Sequence, residues 1–142
     1  MRDWKMWETR ATDESTMPTA LVVDDDPAIL ELLAEVLQDA GFSPTCFTRG
    51  QPALDTLAAQ GFDLLLIDLW LPDLKGFKLC EAARDWYGDA PAVMLITADQ
   101  RVTNWITALD LGADDCVEKP FDVDELLARI AAKRRGRMQA RG

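Results

Sequence analysis

Histidine is absent from all 142 residues. That removes imidazole-based serine and cysteine triads, imidazole metal sites, and any phosphohistidine on the chain itself. Cysteine is scarce. Cys46, Cys80 and Cys116 fall one per expected element and show no metal-ligand spacing. An odd count without a secretory segment predicts reduced, buried thiols. No apolar run approaches the roughly 20 residues that cross a bilayer. No signal-peptide core opens the chain, so the expectation is a cytoplasmic protein with no membrane partner. Positive charge is short as well, with 15 Lys and Arg facing 25 Asp and Glu. Five of those bases and no acid lie in residues 133–142, leaving ten bases against 25 acids elsewhere, a net of −15. Such a body repels phosphate backbones, which argues against direct nucleic-acid binding by this domain.

What is present is an alternation of buried strands and amphipathic helices. Leu64 to Ile67 is an unbroken apolar run ending on Asp68, with Pro72 just beyond. A strand of a parallel sheet covered on both faces reads this way. Ala20 to Val23 is a second such run and leads into Asp24-Asp25-Asp26-Pro27. Asp26 as cap with Pro27 in the first turn opens a helix. Ile29, Leu32, Leu33, Val36 and Leu37 mark its inner face, and Gly41 stops it. Pro44 to Thr48 is a shorter, less apolar strand expected near the sheet edge. A helix with Ala53, Leu54, Leu57 and Ala58 follows, ended by Gly61.

After Asp68 comes a helix from the Gly76 region to about Trp86. Ala92 to Ile96 is a strand leading into Thr97-Ala98. Val102, Trp105, Ile106 and Leu109 predict a further helix, closed by Gly112. Cys116-Val117-Glu118 is the fifth strand, ending in Lys119-Pro120-Phe121. Asp122 and Glu125 then form a capping box for a last helix that carries Leu126, Leu127 and Ile130 inward and frays into the basic tail. Short connections in strict alternation predict parallel strands, right-handed crossovers and helices on both faces. Residues 1–18, with Trp4 and Trp7, read as an N-terminal extension. Residues 19–133 form the domain, and 134–142 a basic tail or the start of a linker.

The C-terminal ends of parallel strands form the crevice where chemistry sits. Here they offer Asp24, Asp25, Asp68, Thr97 and Lys119. Each pair of carboxylates about 4 Å apart costs roughly 4 kcal/mol at an effective dielectric near 20. A cation or a proton must compensate. All-oxygen donors favour Mg²⁺ or Mn²⁺ over zinc. Carboxylate, metal, ammonium and hydroxyl around one point suit phosphoryl transfer, with an Asp oxygen able to serve as nucleophile.

The ordered segments Leu21 to Pro27, Leu66 to Pro72, Leu95 to Ala98, Gly112 to Asp115 and Lys119 to Phe121 resemble a receiver domain of a two-component response regulator. The resemblance is to the CheY-like fold, and in the last strand and helix to the OmpR-type regulators. It implies a flavodoxin-like (βα)5 doubly wound sheet in the order 2-1-3-4-5. It implies Asp68 as phosphoacceptor, with Mg²⁺ on Asp25, Asp68 and the Trp70 backbone carbonyl, and Asp24 acting through water. Thr97, Lys119 and the Ala98 backbone would hold the phosphoryl group, and the Lys119–Pro120 bond would be cis.

The resemblance also implies a sensor histidine kinase or a histidine phosphotransfer protein as partner. It implies a homodimer on phosphorylation through Trp105, Asp115, Glu125 and Arg129, with Asp115 and Arg129 paired between subunits. Cys116 stands where the family carries a switching aromatic, and Trp105 where it carries a basic partner for Glu125. The Trp70 indole either shields the site or lies outward over its loop. Two other classes compete. A haloacid-dehalogenase-like phosphatase shares the strand-end Asp, but Ala28 breaks its Asp-x-Asp-x-Thr/Val signature. A receiver-like binding module that is never phosphorylated would keep the fold without the chemistry.

Overall fold

The computed structural model describes residues 17–99, 110 and 112–141. The extension bearing Trp4 and Trp7 and the helix expected over Val102, Trp105, Ile106 and Leu109 lie outside the described residues. Five strands and four helices are described. They are β1 (Thr19–Val23), α1 (Pro27–Asp39), β2 (Ser43–Phe47), α2 (Gly50–Ala59), β3 (Leu64–Asp68), α3 (Gly76–Tyr87), β4 (Ala92–Thr97), β5 (Asp115–Glu118) and α4 (Val123–Arg141). All strand pairs are parallel, in the order β2-β1-β3-β4-β5, as expected.

Side chains alternate across the sheet, and both faces are covered. Leu21, Val23, Leu65, Ile67, Val93 and Leu95 pack under α2 and α3 with Ala53, Leu57, Leu79 and Ala83. Ala20, Val22, Leu64, Leu66, Met94 and Ile96 pack under α1 and α4 with Leu30, Leu33, Leu37, Leu126 and Ile130. This double cover is why the central strands carry no polar alternation.

Local signals hold with shifts at the ends. Asp26 Oδ1 accepts from Ala28 N at 2.9 Å, with Pro27 opening α1. Gly41 at φ 95° follows that helix. β2 starts one residue before the expectation, because Ser43 N donates to Pro18 O, and it is an edge strand. Cys46 on it is exposed, which corrects the expectation that all three thiols are buried; Cys80 and Cys116 are buried. α2 stops at Ala59, before Gly61, where an added Cβ would lie 3.2 Å from the Tyr87 ring. The capping box is built at one end, Glu125 N donating to Asp122 Oδ1 at 3.1 Å, while Glu125 Oε1 is taken by Arg129. The last helix does not fray at the basic tail. It runs on to Arg141, and the Arg134 guanidinium lies 5.4 Å from the Phe42 ring centroid. Among the described residues, no helix is long and apolar enough to cross a membrane.

Candidate functional site

Register assembles the site. Val23 lies opposite Ile67, so the next residues, Asp24 and Asp68, come level at the strand ends. Asp68 lies opposite Ile96, and Thr97 opposite Glu118, which puts Thr97 and Lys119 on the same edge. The Asp24-Asp25-Asp26 run divides into three jobs. Asp24 turns inward at 1% exposure, Asp25 stays exposed at the mouth, and Asp26 caps α1. Asp24 Oδ1 accepts from Asp26 N at 2.9 Å, which fixes the turn. Oxygen atoms of Asp24, Asp25 and Asp68 all lie within 4.8 Å of one another.

One cation answers this cluster directly. Lys119 Nζ donates to Asp68 Oδ2 at 3.2 Å and lies 2.7 Å from Asp24 Oδ2. Burial disfavours the Lys119 charge, but its bonds and charge contacts with Asp24 and Asp68 outweigh this and raise the ammonium above its ordinary value. Burial raises the Asp68 carboxyl; the Lys119 charge draws it back, the Asp24 charge adds to the rise, and the balance stays above ordinary. Thr97 is fully buried, and its Oγ1 accepts from Asp99 N at 3.0 Å. Ala98 beside it is exposed. The Lys119–Pro120 bond is cis, as expected.

Three carboxylates against one ammonium leave negative charge uncompensated. Asp24 Oδ2 is buried against the Lys119 ammonium at 2.7 Å, a single positive charge that it shares with Asp68. A buried anionic oxygen in this state, beside hard oxygen donors only, fits a divalent Mg²⁺-type cation.

The chain matches the family described as the response regulator receiver domain over residues 20–131. The protein belongs to the response regulator receiver domains. It is 40% identical to the DNA-binding dual master transcriptional regulator RpaA of Synechocystis over 124 residues, covering 82% of this chain and 48% of that protein. It is similar to the receiver domain protein of Methanospirillum hungatei, at TM-score 0.81 and 27% identity, covering 88% of this chain and 99% of that one. It is also similar to the response regulator TrrA of Thermotoga maritima in complex with Mg²⁺-BeF, at TM-score 0.74 and 31% identity, covering 82% and 99%. The receiver spans about half the length of the curated relatives it matches.

The loop after Asp68 is held from both sides in this receiver. Trp70 N donates to Asp68 Oδ1 at 3.2 Å. Trp70 is 42% exposed, and its indole Nε1 donates to Asp99 Oδ2 at 3.0 Å, with the Lys75 ammonium 5.4 Å from the ring centroid. Asp73 reaches back to α2 and accepts from Gly50 N and Gln51 N, both at 2.7 Å. Behind β3, which carries Asp68, sits Gly76. A Cβ there would run into the Asp68 carbonyl oxygen and lie 2.9 Å from Ile67 Cγ2. Asp73 and Asp99 were not singled out by the sequence reading. Asp99 had one available signal, since it follows Thr97 at the same two-residue spacing by which Trp70 follows Asp68.

The residues expected at a subunit interface are engaged inside one chain. Arg129 bonds Asp115 Oδ1 at 3.2 Å, the Cys116 carbonyl at 3.3 Å and Glu125 Oε1 at 2.9 Å. Within the single chain Asp115 and Arg129 are paired with each other, because β5 and α4 lie side by side and Arg129 spans the gap. The same guanidinium pairs with Glu125 within α4, which leaves the expected absence of a basic partner at Trp105 untouched. Trp105 lies outside the described residues. Cys116 is buried, and its thiol is pushed up to about 11, first by burial and then by the Asp115 charge.

Proposed function

We propose that this receiver accepts a phosphoryl group on Asp68 from a phosphohistidine of a partner sensor histidine kinase or histidine phosphotransfer protein. The observation that carries the reading is the convergence of Asp24, Asp25 and Asp68 on Lys119, with fully buried Thr97 on the same edge. The donor must come from elsewhere because this chain has no histidine. In the step, an Asp68 carboxylate oxygen attacks phosphorus. The new O–P bond forms as the donor P–N bond breaks, and the leaving imidazole keeps the electron pair and takes a proton.

Asp25, Asp68 and the Trp70 carbonyl, with Asp24 through water, would hold Mg²⁺ or Mn²⁺, whose charge neutralises the transferring oxygens. Lys119 holds one phosphoryl oxygen by charge. Thr97 donates its hydroxyl proton to another, and the backbone N–H of Ala98, the next residue, adds a further donor. The protein promotes only its own phosphorylation and dephosphorylation and turns over no separate substrate. Added charge at Asp68 biases the surface of the helix expected over Val102 to Leu109, β5 and α4, which controls an output or a dimer. Dimerisation through Asp115 and Arg129 then requires those residues to exchange their present partners. We place this activity in the cytoplasm.

Incubation with acetyl phosphate and Mg²⁺, followed by intact mass, tests the reading. One phosphoryl on the native chain and none on Asp68→Ala is the expected result. No adduct with any donor or divalent metal would favour an unphosphorylated binding module. Turnover of unrelated phosphomonoesters would favour the phosphatase.

A further inference from the structure

Asp68 and Thr97 are joined by a circuit of three hydrogen bonds. Asp68 Oδ1 accepts from the backbone N of Trp70 at 3.2 Å. The indole of the same residue donates to Asp99 Oδ2 at 3.0 Å. The backbone N of Asp99 donates to Thr97 Oγ1 at 3.0 Å. The two residues expected to respond to a phosphoryl group are therefore tied to opposite ends of one link, which passes through the half-exposed Trp70. At position 116 the side chain is a small buried thiol, with no ring to reposition.

We propose that Trp70 is the moving aromatic of this receiver, latched to Asp99 at rest and released when Asp68 is phosphorylated. The inference rests on the reading of Asp68 as phosphoacceptor. With acetyl phosphate, the Asp68 O–P bond forms, the donor O–P bond breaks and acetate leaves. Three effects then act on the circuit in the same direction. Phosphorylation turns the Asp68 carboxylate into an acyl phosphate and removes its own negative charge, which weakens the charge-assisted bond from Trp70 N. The phosphoryl group draws Thr97 Oγ1 toward itself and away from Asp99 N. It also adds negative charge on the side of the site where the Asp99 carboxylate stands, and like charges repel. The indole loses its acceptor and turns its apolar face to the mouth of the site. A ring of this size supplies a large contact area for a partner that reads the phosphorylated state.

The test follows the Trp70 indole N–H in a ¹H–¹⁵N spectrum, assigned by its loss in Trp70→Phe. Acetyl phosphate and Mg²⁺ are added, and intact mass is taken on the same sample. The expected result is a large shift of that one resonance and at least tenfold faster exchange of its proton with water. In Asp99→Asn, which keeps an acceptor but carries no charge, the shift is expected to fall by half or more. A phosphoryl adduct with an unmoved indole resonance overturns the latch and leaves the phosphoacceptor reading standing. An equal shift in Asp99→Asn removes Asp99 charge from the mechanism and overturns the latch as argued. No adduct at all overturns both readings together.

Discussion

At the scale of single residues, the site depends as much on a missing side chain as on those present. Gly76 opens α3 against the back of Asp68, and its N donates to Leu69 O at 2.6 Å. Its φ is not positive, so the requirement for glycine there is one of space and not of backbone conformation. Gly76→Ala forces its new methyl group into the Asp68 carbonyl. Overpacking of this kind costs about 1–3 kcal/mol. Urea unfolding should show that loss, and phosphorylation by acetyl phosphate should slow at the same time because Asp68 itself is displaced. Unchanged stability and rate would mean that α3 slides away freely. The role of Gly76 was hard to read in the sequence, where it marks only the end of a turn. Asp24, Asp25, Asp68, Thr97 and Lys119 were legible because each directly ends or follows an apolar strand. Strand-end position converts to spatial proximity once the sheet is parallel and in register.

At the scale of elements, one loop binds two others. Asp73 lies after β3 but caps α2, accepting from Gly50 N and Gln51 N. The approach is close enough that a Cβ on Gly50 would lie 2.6 Å from Leu74 Cδ1. This cap could not be read in the sequence, since acceptor and donors are more than twenty residues apart and α2 has no side-chain cap of its own. The same limit hid the fate of Arg129, whose partners on β5 are visible only after folding. Desolvation is the largest single influence and pulls the Asp73 carboxyl upward, but the backbone N–H bonds from Gln51, Gly50 and Asp73 itself, with the Arg49 charge, together outweigh it and hold the carboxyl below 3.8, its ordinary value. A carboxyl lowered in the fold contributes stability that is present above the unfolded value. That contribution is lost as pH falls through the lowered one. Stability of the native chain should therefore decline from about pH 4 downward, and Asp73→Asn should show a shallower decline over the same range. Chemical denaturation at a series of pH values measures both slopes. Parallel slopes would mean that the cap carries no linked proton.

At the scale of the whole molecule, charge is sorted by position. The acidic cluster lies at the C-terminal ends of the strands, while the bases of residues 133–142 ride on the far part of α4. The cluster should therefore gain stability from a divalent cation. Mg²⁺ at about a hundred times its dissociation constant is expected to stabilise the chain by about 2.7 kcal/mol, visible as a rise in Tm. Asp25→Asn should largely abolish that rise. Lys119→Ala should enlarge it at fixed Mg²⁺, with binding roughly tenfold tighter for each 1.4 kcal/mol of repulsion removed, because the resident ammonium competes for the same oxygens. Calorimetric titration of the three proteins distinguishes these outcomes.

The unbroken course of α4 has a consequence of another kind. A helix that leaves the body without a break carries an angle as well as a distance. Each residue advances it by about 1.5 Å and turns it by about 100°. Anything joined beyond Arg141 inherits a phase set at Leu126 and Ile130, where the helix grips the sheet. One residue inserted near Gly136 would point such an attachment to another side, while seven would return it nearly to where it began.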